Sequence, residues 1–253
     1  MTARILILAL IPVLAACAQS GSSTGQQPAE DAQSRAQIHT ELGAAYYGAG
    51  QYAVAIEELE IALSADPDYV PAINQLGLVH LTLGQDGKAQ QRFERALRLA
   101  PDDPSVNNNY GMFLCERGRE RDAMRYFAKA LENPLYRTPE VAYVNAGLCA
   151  RSKGDEVRAE EFLRKALSAA PDQPQALFNL AEISYRKADI VAARAFVTRF
   201  HQVSVPSAES LWLAARIENM LGNRNALASY GAQLNRRFPE APQTRAFNEG
   251  NFQ

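Results

Sequence analysis

Residues 36–69, AQIHTELGAAYYGAGQYAVAIEELEIALSADPDY, and residues 70–103, VPAINQLGLVHLTLGQDGKAQQRFERALRLAPDD, lie over each other without a gap, and that overlay decides the fold. Gly50 falls on Gly84, Ala55 on Ala89, Ala62 on Ala96 and Pro67 on Pro101, each 34 residues on. The frame continues through Gly118 and Gly154, and through Ala123, Ala159 and Ala193, at intervals of 34 broken by a single 36. Ala130 and Ala166 keep the same spacing, Pro171 fits, and Pro239 stands two periods beyond it. A fixed period of this length marks a repeat array, in which one small unit stacks on the next.

Within the frame the residue types resemble the tetratricopeptide repeat, Leu-Gly-x2-Tyr followed by Ala, Phe, Ala and Pro. Unit one, 36–69, carries Leu42, Gly43, Tyr46, Ala55, Leu59, Ala62 and Pro67. Unit two, 70–103, carries Leu76, Gly77, Ala89, Phe93, Ala96 and Pro101, and unit three, 104–137, carries Tyr110, Gly111, Ala123, Phe127 and Ala130. Unit four, 140–173, has Ala146, Gly147, Ala159, Leu163, Ala166 and Pro171. Units five, 174–207, and six, 208–241, are degenerate: the first has Phe200 where a small residue is expected, and the second keeps little beyond Gly222 and Pro239. The resemblance implies an all-α, right-handed superhelical solenoid of about six helix-turn-helix units. Small residues such as Ala55 and Ala62 let antiparallel helices approach closely. Gly50 and its equivalents suit left-handed caps, and Ala100-Pro101-Asp102-Asp103-Pro104 ends one helix and starts another.

The residues before the array read as a processing signal. Met1-Thr2-Ala3-Arg4 supplies a short positive region, and Ile5 to Leu14 is an apolar run too short for a bilayer, which takes roughly 20 helical residues. Leu14-Ala15-Ala16-Cys17 resembles the bacterial lipobox, in which the cysteine is acylated; an ordinary secretory cleavage after Ala16 is the alternative. Residue 18 is Ala rather than Asp, so the resemblance implies sorting to the outer membrane, with the body at its periplasmic face. Residues 1–16 are thus expected to be a lipoprotein signal peptide. Residues 17–35, rich in Ser, Gly and Gln, are expected to be a lipidated flexible tether, and 242–253 a C-terminal tail. The N-terminal lipid is the one membrane contact expected.

The 253 residues carry 26 Lys and Arg against 28 Asp and Glu, so no basic face recommends nucleic acid. No phosphate-cradling loop, metal-binding His-Glu-x-x-His pair or nucleophile elbow appears, and neither catalysis, cofactor, metal nor small-molecule substrate is expected. His39, His80 and His201 are scattered; His80 stands where the repeat expects Tyr, which favours a packed, hydrogen-bonded histidine. Cys115 and Cys149 are 34 apart in the first helices of units three and four. Neighbouring helix axes about 8–10 Å apart let facing residues reach the Cα separation a disulfide needs, about 4.4–6.8 Å. In an oxidising periplasm this spacing favours a Cys115–Cys149 disulfide over two buried thiols, a zinc site with His80 being the lesser alternative.

In tetratricopeptide proteins the first helices line a concave face. The corresponding positions here are Leu78, Leu81, Asn108, Met112, Val144, Leu148, Phe178, Tyr185 and Trp212, with Arg151, Arg186 and Arg216 interspersed. Such an apolar groove suits a helix or an extended segment of another protein. Any one of these residues has as good a claim to pack against the next unit.

The lipobox, the tether and the repeats, together with Asn107-Asn108-Asn109-Tyr110-Gly111-Met112-Phe113-Leu114-Cys115 and Tyr143-Val144-Asn145-Ala146-Gly147-Leu148-Cys149, resemble the PilF/PilW family of type IV pilus biogenesis lipoproteins. That resemblance implies a pilotin, a scaffold that helps the pilus secretin reach the outer membrane and multimerise; the chain itself is expected to be monomeric. A periplasmic scaffold for cell-wall enzymes or outer-membrane protein assembly is the alternative. A thiol count on the denatured, unreduced protein is expected to find neither Cys115 nor Cys149 free; two reactive thiols would overturn the pairing.

Overall fold

The computed structural model describes residues 27–252, and among them every regular element is an α-helix. Helices α1 (Gln27–Gly48) and α2 (Tyr52–Ala65) make unit one, α3 (Val70–Thr82) and α4 (Asp86–Leu99) unit two, and α5 (Pro104–Glu116) and α6 (Glu120–Leu131) unit three. Helices α7 (Pro139–Ser152) and α8 (Glu156–Ala169), α9 (Pro174–Arg186) and α10 (Ile190–Val203), and α11 (Ala208–Met220) and α12 (Arg224–Arg237) form units four to six, and α13 (Pro242–Asn248) follows. Each first helix packs on its own second helix, and each second helix on the next first helix. First helices also touch their successors, as α1 touches α3, α3 touches α5 and α5 touches α7. The array is the tetratricopeptide solenoid that the period implies, with the first helices along one side.

Close approach within each unit rests on one small-against-large contact. A methyl group added to Gly43 would lie 2.7 Å from Leu59, one on Gly77 2.6 Å from the Phe93 ring, one on Gly111 2.8 Å from Phe127, and one on Gly147 2.9 Å from Leu163. Those four large side chains are at most 1% exposed, so none has room to retreat. Around each contact, alanines from Ala55 and Ala62 through Ala159 and Ala166 are fully buried.

Degenerate units five and six remain complete helix pairs because the contact is rebalanced. In unit five the glycine becomes Ala181 and its partner shrinks to Val197, both buried in one cluster. In unit six Ala215 faces the position of Gly231, and that glycine takes the ring of Phe247 from α13, which a methyl group would meet at 2.0 Å. The sequence loses the motif while the summed volume is kept, and cores tolerate volume-conserving exchange.

Punctuation follows local rules. Gly50, Gly84, Gly118, Gly154 and Gly222 end first helices at φ between 67° and 78°. Unit five has Ala188 at this place, held at φ 58° at a steric cost that glycine would not incur. Asp103 accepts the Val106 N–H at 2.9 Å just before Pro104 opens α5, and Asp155, Asp189 and Asn223 cap α8, α10 and α12 the same way. Between units, Arg95 donates to the Pro67 carbonyl at 2.8 Å and Arg199 to the Pro171 carbonyl at 2.6 Å, satisfying loop acceptors. His80 is 4% exposed and bonds Gln85 through Nδ1 at 2.8 Å, and burial holds its pKa below the ordinary value.

Two boundaries differ from expectation. The flexible tether expected over 17–35 is shorter, because residues 27–35, QPAEDAQSR, form the first turns of α1 and hold no glycine. Cys17, the signal peptide at 1–16 and tether residues 17–26 lie outside the described residues. The expected tail at 242–253 is not a loose end either: α13 covers unit six, with Thr244 buried and donating its hydroxyl to the Phe238 carbonyl at 2.6 Å. Among the described residues no helix is long and apolar enough to cross a membrane.

Gly77→Ala is expected to lower stability by about 1–3 kcal/mol through overpacking against Phe93. Gly77→Ala/Phe93→Val, which copies unit five, is expected to cost clearly less than the sum of its parts in urea melts. Strict additivity would contradict the small-against-large account.

Candidate functional site

The inner positions of the first helices fall into three groups. Leu81 (6% exposed), Asn108 (3%) and Val144 (1%) are buried among neighbouring units and present nothing to a ligand; Leu78 packs on the cluster formed by Phe93, Tyr110 and Phe113. For the first three the packing role holds, and the expectation that they line an open groove is corrected; Leu78 is half-buried, at the same position of its helix as Met112 and Leu148. The cause is stacking: Leu81 shares a cluster with Tyr110 and Phe113 of unit three, Val144 one with Ala176 and Leu180 of unit five, and Asn108 accepts the Asn145 amide of unit four.

Met112 and Leu148 do face open space. They line a cleft of about 520 Å³ between units three and four, with Asn145, Cys115 and Cys149 beside them and Glu116 and Lys153 also in its wall. Cys115 and Cys149 are joined as a disulfide, with Cα atoms 5.8 Å apart, so α5 and α7 are covalently stapled beneath the cleft. Among the described residues no cluster of three His, Cys, Asp or Glu could hold a metal ion.

Asn145, Glu116 and Lys153 were missed by position counting. Asn145 precedes Leu148 and Cys149 by one turn, and that i, i+3, i+4 face was the available signal. Asn145 donates to Asn108 Oδ1 at 3.0 Å, Asn108 to Asn109 at 3.0 Å, and Asn109 to Asn74 at 3.3 Å. This run of amides crosses α7, α5 and α3 and fixes their register. Partial burial pushes the Glu116 carboxyl up from its ordinary value, against the pull of Arg117.

The remaining predicted residues sit in units four to six and are already engaged. Arg151 pairs with Glu182 at 2.6 Å and bonds Asn179, while Arg186 pairs with Glu156 at 2.6 Å. Phe178 lies 5.4 Å from Phe200, ring to ring. Arg216 stands over the Tyr185 ring at 4.5 Å, and Trp212 is stacked against Phe252 of the same chain. The cleft of units three and four is therefore the accessible part of the predicted groove. Its apolar floor, the amides of Asn145 and Gln175 and two rim charges offer shape and hydrogen bonds to a polypeptide, with no nucleophile placed against a base.

Residues 46–108 and 141–173 each match a model of the tetratricopeptide repeat. The type IV pilus assembly protein PilF of Pseudomonas aeruginosa is 29% identical over 118 residues, 47% of this chain and 47% of that protein, so the match spans about half the length of the curated relative. The crystal structure of PilW, described as a widely conserved type IV pilus biogenesis factor, aligns at TM-score 0.73 and 34% identity, over 83% of this chain and 97% of that one. A solved structure of Pseudomonas aeruginosa PilF aligns at TM-score 0.77 and 28% identity, over 88% of this chain and 99% of that one.

Asn108→Ala should strand the amides of Asn109 and Asn145 and lower stability by about 1–3 kcal/mol in urea melts. A variant as stable as the parent would show that the amide run is incidental.

Proposed function

We propose, because the chain belongs to the PilF/PilW-type family of tetratricopeptide-repeat pilus biogenesis factors, that it is an outer-membrane lipoprotein acting as a pilotin for the pilus secretin. The observation that carries this reading is the alignment with PilW over 97% of the solved chain at 34% identity, which takes in nearly all of that structure rather than a shared repeat or two. The cleft of units three and four supplies the matching chemistry. An apolar segment of the secretin would lay side chains against Met112 and Leu148, and the Asn145 amide would bond its backbone.

The anchor supplies the rest of the mechanism. A triacylated Cys17 would hold the array at the periplasmic face of the outer membrane, because several chains bind firmly where one is marginal. Residues 17–26 would span the gap to α1. Cargo bound in the cleft would then follow the lipoprotein sorting route, and anchoring would raise the local concentration of adaptor and cargo near the membrane where multimers form. The array works here as a scaffold, without turnover.

Cys17→Ala should leave the repeat body folded and lower secretin multimers at the outer membrane severalfold. Met112→Glu/Leu148→Glu should keep its thermal melt and lose secretin on affinity capture from solubilised membranes. Normal multimers in the first variant and undiminished capture in the second would refute the reading. Recovery of cell-wall enzymes or outer-membrane assembly factors in place of secretin would favour the scaffold alternative.

A further inference from the structure

The chain beyond α13 does something that no earlier unit does. After α13 the backbone turns at Gly250, at φ 69°, with the Gly250 N–H bonded to the Phe247 carbonyl at 3.1 Å and the Asn251 N–H to the Ala246 carbonyl at 2.9 Å. Gly84 and Gln85 make the same pair of bonds to Leu81 and His80 at the end of α3, and there the next residue, Asp86, opens a second helix. At the corresponding place Phe252 instead lies back across α11. Its ring stacks on Trp212 with centroids 5.4 Å apart and planes at 22°, meets Phe247 edge-on at 5.8 Å, and its carbonyl accepts from Arg216 Nε at 3.4 Å.

The surface it covers is the inner one. Arg216 stands at the same position of its helix as Met112 and Leu148, the residues that line the open cleft two units earlier. The Arg216 guanidinium is sandwiched, 4.5 Å from the Tyr185 ring and 6.0 Å from that of Trp212, which presets it before anything binds. Phe252 is held by ring on ring, flat against Trp212 and edge-on to Phe247, and by one main-chain carbonyl on an arginine. Neither depends on the covalent link to α13, and any extended polypeptide with an aromatic side chain offers both.

We propose that units five and six carry a second polypeptide seat, built by Tyr185, Trp212 and Arg216, that takes an aromatic side chain of an extended segment and is held closed by Phe252. The occupant is a partner segment with a Phe or Tyr in that register, and Phe252 is its built-in competitor. A tethered competitor acts at an effective concentration in the millimolar range, so only a segment with further contacts along the array displaces it. The seat is separate from the cleft of units three and four and stands whether or not the array serves a secretin.

Trp212 is the sole tryptophan of the chain, so its fluorescence reports on this seat alone. In the full chain, Phe252→Ala should raise acrylamide quenching of that emission about twofold with an unchanged circular-dichroism melt, and Phe252→Tyr should retain the protection. A synthetic NEGNFQ peptide should restore protection to the Phe252→Ala protein, NEGNAQ should not, and the parent should need roughly tenfold more peptide for any change. Arg216→Ala placed in the Phe252→Ala protein should weaken the peptide effect severalfold. Equal quenching in parent and Phe252→Ala, equal action of both peptides, or equal response of parent and variant would each overturn the proposal. So would a concentration-dependent dimer of the parent in sedimentation, which would make the tail of a second copy the occupant.

Discussion

Everything in this molecule depends on how near two helices of one unit can come. That distance is set by a residue without a side chain on the first helix and a large, immobile one on the second: Gly77 under Phe93, Gly111 under Phe127. When the approach is right, the alanines at the flanks meet, the loop between helices closes in three residues, and the next unit finds a surface it can stack on. A single unit buries too little to stand alone, so stability is the sum of such contacts and of the faces between neighbours. Arginines of the second helices, such as Arg95 and Arg199, then tie those helices back to the turn before their unit.

That dependence explains what the sequence disclosed. Glycine, alanine and proline at a fixed interval are the local requirements of close approach, caps and turns, and they announce helix pairs wherever they recur. Units five and six kept their architecture after losing those letters, because Ala181 with Val197, and Gly231 with Phe247, fill the same volume with different residues. A residue-by-residue comparison does not register volume conserved across a pair. The start of α1 was missed for a related reason: Gln27–Ser34 is polar enough to resemble a tether, yet it lacks any helix breaker after Pro28 and simply continues the helix that buries Ala36 and Gly43 further on.

The binding surface was less legible. Helical position alone could not separate Met112 and Leu148, which face the cleft, from Leu81 and Val144, which are packed between units, because a few tens of degrees of rotation decide the matter. Nor could it show that Arg151 and Arg186 are committed to Glu182 and Glu156, partners about 30 residues away that come close only when units stack. The Cys115–Cys149 pair was the exception. The two cysteines stand on neighbouring first helices, at the twelfth position of unit three and the tenth of unit four, and stacking of those helices brings their Cα atoms to 5.8 Å.

That covalent staple has a mechanical side. Were the array held by a lipid at its N-terminal end, as proposed, a tug on cargo would be carried through every interface between the anchor and the point of attachment. Noncovalent stacking transmits the load as far as α5; from α5 to α7 it passes through a sulfur–sulfur bond. Cargo gripped at the middle cleft would therefore strain units one to three and leave units five and six slack, so the far end of the solenoid stays free to open and close under no tension.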